Sequence, residues 1–352
     1  MTEKKSYSNV NTIHALQALR GVAVSLVVLF HTTQLCADYY QFAPLNGLFL
    51  FGFSGVHLFF VLSGFIILTI HYRDINQPRR LVSYLKKRFV RIYPIYWITL
   101  AIFSVWLFFR GAMTLDDIYA SIGLVTMPWR YVNPVSWTLT FEIAFYLIFA
   151  SLIINRRLGI IILCGWLIAL AAAHLFDLHP PFVLRHLTHK YVILFMIGLT
   201  AAYLSIQWRQ YSAIPNQGRV HDLFALGVIV FAITAYFCLA NQIRDWDLWS
   251  VTLGFGIASG LMMMAALSPA LEQFFQSRHL LTSLGDASYS IYLMHYLLIK
   301  TLVHWLKLYL PTTQPVMITL IFITVAIIVT WTGWLLHRLI ERPLLHWLRR
   351  KF

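Results

Sequence analysis

The chain has 352 residues, 59% of them hydrophobic and only 11% charged, against about 25% charged in an ordinary soluble domain. That balance excludes a soluble globular enzyme built on one conventional core. The net charge of +14 does not restore a nucleic-acid reading. Lys and Arg gather on alternate connecting loops, as membrane topology expects, and no soluble basic module is present to dock a duplex.

Apolar runs recur along the whole length, and a bilayer crossing needs about 20 residues. Backbone in lipid must satisfy its own hydrogen bonds, so these runs predict helices. The expected fold class is an all-α polytopic membrane protein, a bundle of about ten transmembrane helices. The spans fall near 15–36, 47–70, 92–109, 137–154, 158–176, 190–207, 221–240, 248–267, 287–306 and 316–337. This divides the chain into a cytosolic tail over 1–14, a transmembrane domain over 15–340 and a basic cytosolic tail over 341–352. The first run, Leu16 to Cys36, is too long for the apolar region of a signal peptide. With the N-terminus inside, the inner segments hold 20 of the 27 Lys and Arg, the outer segments six, and Lys300 lies within a span. The bias predicts an N-in, C-in orientation. Cys36, Cys164 and Cys238 lack metal-ligand spacing and read as packing residues, so no metal site is expected.

Ionisable residues inside spans are costly and mark where chemistry is to be sought. In the first span, LQALRGVAVSLVVLFH, Arg20 and His31 stand eleven positions apart, which places them within roughly 20° on one helix face and some 16 Å apart. A snorkelling arginine and an internally bonded histidine fit that spacing equally well. The second span carries FFVLSGF, where Ser63 precedes Gly64. Such a pair is usually a close-packing device, and Ser63 has no base beside it in sequence. The following loop, RRLVSYLKKRFVRIYP, sets Arg88 and Arg91 one turn apart, a pair able to fork onto phosphate oxygens or to attract anionic lipid. Glu142 lies inside SWTLTFEIAFYL with Tyr146 one turn on, and Tyr292 and His295 share a face of YSIYLMH. For each, a structural pairing competes with a catalytic or proton-carrying role.

Taken together and in order, these segments resemble the acyltransferase 3 family of bacterial membrane acyltransferases, most nearly its exopolysaccharide and O-antigen acetylase branch. The matching pieces are Arg20 with His31, FFVLSG at Phe59–Gly64, RFVR at Arg88–Arg91, WTLTFEIAFY around Glu142, YSIYLMH ending at His295, and ERP at Glu341–Pro343. Two departures stand out. His57 occupies a place where an acidic residue is frequent, and Thr138 and Thr140 stand where Ser is frequent.

The resemblance implies O-acyl transfer, commonly of acetyl, from cytosolic acyl-CoA to a hydroxyl of a surface polysaccharide or lipid-linked glycan. It implies His31 as the catalytic histidine, Arg20 as its companion, and Arg88 with Arg91 on the CoA phosphates; Glu142 is expected to orient or charge-balance the catalytic site, and Ser63 to lie on the donor side. Tyr292 and His295 are candidates for acceptor contacts or a proton relay. Acetyl-CoA or another acyl-CoA is then a substrate, with no bound cofactor. The expected location is a bacterial cytoplasmic (inner) membrane, in contact with its lipids. The chain reads as a stand-alone member without an SGNH-type domain. The rival reading is a proton-coupled secondary transporter using Arg20, His31, Glu142 and His295 as a relay.

Overall fold

The computed structural model describes residues 13–111, 114–124, 131–178, 180–211, 217–243 and 248–351. Apart from Ile13 and His14, the N-terminal tail expected over 1–14 lies outside the described residues. The elements are α1 (His14–Tyr40), a 3-10 stretch (Pro44–Phe53), α2 (Ser54–His71), α3 (Leu81–Phe108), α4 (Leu115–Gly123), α5 (Trp137–Ile154), α6 (Arg156–Leu175) and α7 (Val192–Tyr211). They continue as α8 (Gln217–Ala240), α9 (Trp249–Ala266), α10 (Pro269–Gln276), α11 (His279–Asp286), α12 (Ser288–Tyr309) and α13 (Pro315–Leu336). A π turn (His337–Glu341) then leads into α14 (Arg342–Lys351). All described regular structure is helical, so the chain is an all-α polytopic membrane protein.

Ten of the described helices have 18 residues or more, and each coincides with one expected span. Eight carry an apolar window long enough to cross a bilayer. The other two are α7, whose apolar stretch is the shorter Val192–Trp208, and α12, whose sequence carries Ser288, Ser290, His295, Lys300, His304 and Lys307.

Glycines set the closest helix crossings around the centre. A Cβ on Gly64 would meet the Phe195 carbonyl at 2.3 Å, and one on Gly198 the Val61 carbonyl at 2.1 Å, so α2 and α7 touch backbone to backbone. Gly21 and Gly285 do the same for α1 and α11. Small residues permit this in a bilayer, where packing, not water expulsion, joins helices. The first turn of α1 is capped from α10: Glu272 accepts the backbone N–H groups of His14 and Ala15 and pairs with the His14 ring at 2.6 Å. A carboxylate there satisfies amides left without helical partners.

Two long-range pairings run parallel. Along α1 and α12, Arg20 meets Ser288, His31 meets His295 and Tyr296, Tyr39 meets His304, and Tyr40 meets Lys307. Along α2 and α7, His57 meets Tyr191, Phe60 meets Phe195, and Tyr72 meets Gln207. These pairings bring motifs nearly 270 residues apart into one centre.

Candidate active site

A cavity of about 860 Å³ opens among α1, α2, α3, α5, α12 and α14, within the ~300–1,000 Å³ of small-molecule sites. Its charged lining comprises Arg20, Lys86, Lys87, Arg88, Arg91 and Arg349 against the single carboxylate of Glu142. Six cations around one anion in a low-dielectric wall focus positive potential on whatever enters. Apolar and aromatic residues, among them Phe59, Phe60, Leu139 and Tyr292, line it too.

Arg88 and Arg91 both reach the cavity, as their three-residue spacing on α3 predicts. Their surroundings differ. Arg88 donates to His71 Nε2 at 3.2 Å, and His71 Nδ1 in turn contacts the Asp74 carboxylate at 2.7 Å. The carboxylate fixes the proton on Nδ1 and leaves Nε2 as acceptor, so Asp74 and His71 orient Arg88 from behind. Its guanidinium also lies over the Tyr84 and Tyr146 rings. Arg91 instead pairs with the fully buried Glu341 at 3.0 Å and stacks over Tyr289. The second Glu341 oxygen takes Ser290 Oγ at 2.7 Å and His337 Nδ1 at 2.8 Å. The ERP segment, expected to start the C-terminal tail, thus begins on a buried anchor, and Leu345, Leu348 and Arg349 of α14 line the cavity.

Inside, Ser63 Oγ donates to Glu142 Oε1 at 3.1 Å, and the Tyr146 hydroxyl donates to the same oxygen. Ser63 and Gly64 divide their labour by direction: Gly64 packs on α7 while Ser63 faces the cavity. Arg20 lines the cavity and donates to Ser288 Oγ at 2.9 Å. Thr138 Oγ1 lies 3.0 Å from the Tyr292 hydroxyl, so the Thr at this departure from the family pattern still supplies a hydroxyl bond.

His31 is not part of the cavity lining. It is reached through a column of rings: Tyr292 to His295 at 5.4 Å, then His295 to His31 at 5.2 Å. His295 is fully buried, and its Nδ1 contacts the Tyr292 carbonyl at 2.5 Å. A carbonyl can only accept, so Nδ1 carries the proton and Nε2 holds a free lone pair. Neither His295 Nε2 nor His31 Nδ1 has a hydrogen-bond partner. The centre therefore places two unengaged imidazole nitrogens directly beyond an electropositive cavity. His57 packs its ring against Phe53, Tyr191 and Phe255.

The structure thus gathers Arg20, Ser63, Arg88, Arg91, Glu142 and Tyr292 on one cavity, with His295 and His31 behind Tyr292. Sequence reasoning missed His71 with Asp74, Ser288 with Arg20, and the role of Glu341 against Arg91. The HYRD run offered one signal, a histidine three residues before an aspartate at a helix end. The other two pairings join helices too distant in sequence for any local pattern to reveal.

The acyltransferase domain model of the family matches residues 13–336. The chain is 30% identical over 260 residues to the exopolysaccharide production protein ExoZ of Rhizobium meliloti strain 1021, covering 70% of this chain and 76% of that protein. It is 26% identical over 308 residues to nodulation protein 10 of Rhizobium leguminosarum bv. viciae, covering 74% and 78%. With the peptidoglycan O-acetyltransferase OatA of Listeria monocytogenes it shares 25% over 318 residues, 81% of this chain but 49% of that protein. No solved structure matches the chain. The family match spans every helix that builds the cavity walls except α14, and on it the chain belongs to the acyltransferase 3 family.

Proposed function

We propose that this protein is an O-acyltransferase of the bacterial cytoplasmic membrane, moving an acetyl group from cytosolic acetyl-CoA to a hydroxyl of a surface polysaccharide or lipid-linked glycan. The observation that carries the reading is the cavity: six cations near one carboxylate, ending at Tyr292 with two histidines behind it. Phosphates of CoA suit the Arg88 and Lys86–Lys87 rim, since charge-assisted bonds to phosphate are the stronger kind. The acceptor class is supported by relatives whose names concern exopolysaccharide and peptidoglycan.

In this mechanism the acyl-bearing arm passes along Ser63 and Glu142 toward Tyr292. His31 accepts the proton of the acceptor hydroxyl as its oxygen attacks the thioester carbonyl. The C–S bond then breaks, and the imidazolium returns the proton to the departing thiolate. Glu142, held by Ser63 and Tyr146, balances the charge of Arg20 and the α3 arginines. His295 holds its ring against His31 and keeps an acceptor nitrogen facing the centre.

The test is acetyl transfer from radiolabelled acetyl-CoA by purified protein, together with the acetyl content of the producing cell's surface polysaccharide with and without the gene. Acetyl-CoA binding and label in the polysaccharide are the expected results. Absence of both would overturn the reading.

A further inference from the structure

The parallel contact of α1 with α12 continues past His31, away from the cavity, and the side chains along it are polar. On α1, Gln34 and Asp38 follow His31 at three and seven positions, within about 60° of its direction. The Gln34 amide lies beside the His31 ring. On α12, Tyr296, Lys300 and His304 repeat every four residues on the face that meets α1. Tyr296 packs edge-on against His31 at 5.3 Å, and Asp38 sits within Coulombic reach of its phenol. None of these is sealed: His31, Gln34, Tyr296, Lys300 and His304 are part-exposed, and Asp38 is exposed. Their helix neighbours Thr32, Thr33, Leu35 and Cys36 are buried.

A lysine nine residues from the end of α12 and a carboxylate two residues from the end of α1 are expensive against lipid and tolerable beside water. The seam mixes an amide, a carboxylate, a phenol, an ammonium and an imidazole. No single charge dominates it, unlike the cationic cavity on the other side of Tyr292. That mixture suits a neutral polyhydroxyl ligand, whose hydroxyls both donate and accept.

We infer that the α1–α12 seam of Gln34, Asp38, Tyr296, Lys300 and His304 is the binding lane through which a saccharide acceptor presents its hydroxyl to His31 from the outer side. The lane rests on the acyltransferase reading above. Donor and acceptor then approach from opposite faces of the membrane and meet beside the Tyr292–His295–His31 column.

The experiment uses the full-length protein carrying Cys164→Ser, because Cys164 is exposed while Cys36 and Cys238 are buried. Into it go Gln34→Cys or Lys300→Cys, and intact cells are treated with a membrane-impermeant sulfonated maleimide. Both positions should label from outside, and labelled protein should lose transfer of acetyl from acetyl-CoA to the cell's surface polysaccharide. Acetyl-CoA binding by the purified labelled protein should be unchanged. Failure of both cysteines to label in intact cells would mean that they face lipid or the other compartment, and would overturn the lane. So would labelled protein that transfers at the unlabelled rate. The labelling arm needs no activity. Failure of the unlabelled parent to bind acetyl-CoA is therefore a separate result, which overturns the acyltransferase reading and the acceptor assignment with it.

Discussion

Arg88 and Arg91 stand three residues apart and line one cavity, yet they answer to different partners. Arg88 is backed by His71, which the Asp74 carboxylate holds from behind, whereas Arg91 is tied to buried Glu341. Arg88→Ala should therefore weaken acetyl-CoA binding by about 1.5–3 kcal/mol with little loss of fold. Lysine at that position should rescue only part, because the forked guanidinium geometry is gone. Arg91→Ala leaves the Glu341 carboxylate buried without its cation, a change of about 3–5 kcal/mol in stability. The double variant with Glu341→Gln should recover much of that stability, as read by thermal unfolding beside donor binding. Equal behaviour of the two alanine variants in both assays would refute the distinction. At His31 the question is chemistry against architecture. His31→Gln keeps polarity and bulk but cannot take a proton at neutral pH. If His31 is the base, Gln and Ala variants should both lose roughly 10²–10⁴-fold in transfer rate while binding donor normally, since His31 lies outside the cavity lining. A folded Gln variant with near-normal transfer would remove His31 from the chemistry and leave Glu142 as the leading base. The separation of Arg20 and His31 along α1 was legible from their spacing alone. That His31 would stand behind a second histidine was not, because His295 arrives from a helix 264 residues further along the chain.

At the scale of elements, the sequence was read most accurately where hydropathy alone decides. Each of the ten expected spans coincides with a helix, because lipid permits little else for such runs. It was read less well where packing decides. Ser63–Gly64 looked like a packing device, and only the crossing with α7 separates the glycine's role from the serine's. That crossing gives a third prediction. Gly198→Ala forces a methyl onto the Val61 carbonyl, backbone on backbone, with no flexible side chain to yield. Overpacking of this kind costs about 1–3 kcal/mol, so the variant should unfold at lower temperature and in lower yield. Ser63→Ala, which removes one hydroxyl facing the cavity, should keep the fold and leave Glu142 with the Tyr146 hydrogen bond alone of the two it receives. A Gly198→Ala protein as stable as the parent would mean that α2 and α7 pack less closely than their backbones indicate. The end of α13 shows the same limit on sequence reading. A basic tail was expected from residue 341, but a π turn buries Glu341 and lays α14 along α3. Arg91, Ser290 and His337 together account for that carboxylate, and the first two come from helices remote in sequence.

For the whole molecule, the order of the helices constrains the number of crossings independently of hydropathy. If every long helix crosses, α1 and α12 are the first and ninth spans, and α2 and α7 the second and sixth. Helices an even number of crossings apart must run parallel. Both pairs do, by contacts spread along their lengths. Were any one span between them to turn back within the bilayer, the pairing that encloses it would be antiparallel. The less apolar α7 and α12 are thereby counted among the crossings by geometry. Parity leaves open which face is inside, and that is where loop charge enters: the inner segments expected from the sequence hold 20 of the 27 Lys and Arg, and the positive-inside rule assigns the face that carries Arg20, the α3 cluster and α14 to the cytosol. Ser83 lies on that face and Asn241 on the other, and both are exposed. With Cys164 replaced, a cysteine at Asn241 should react with an impermeant maleimide in intact cells. A cysteine at Ser83 should react only in inverted vesicles, where acetyl-CoA should shield it because Ser83 borders the cavity. The reverse pattern would turn the cationic cavity away from the compartment that supplies CoA, and no reassignment of single residues would then save the proposed reaction.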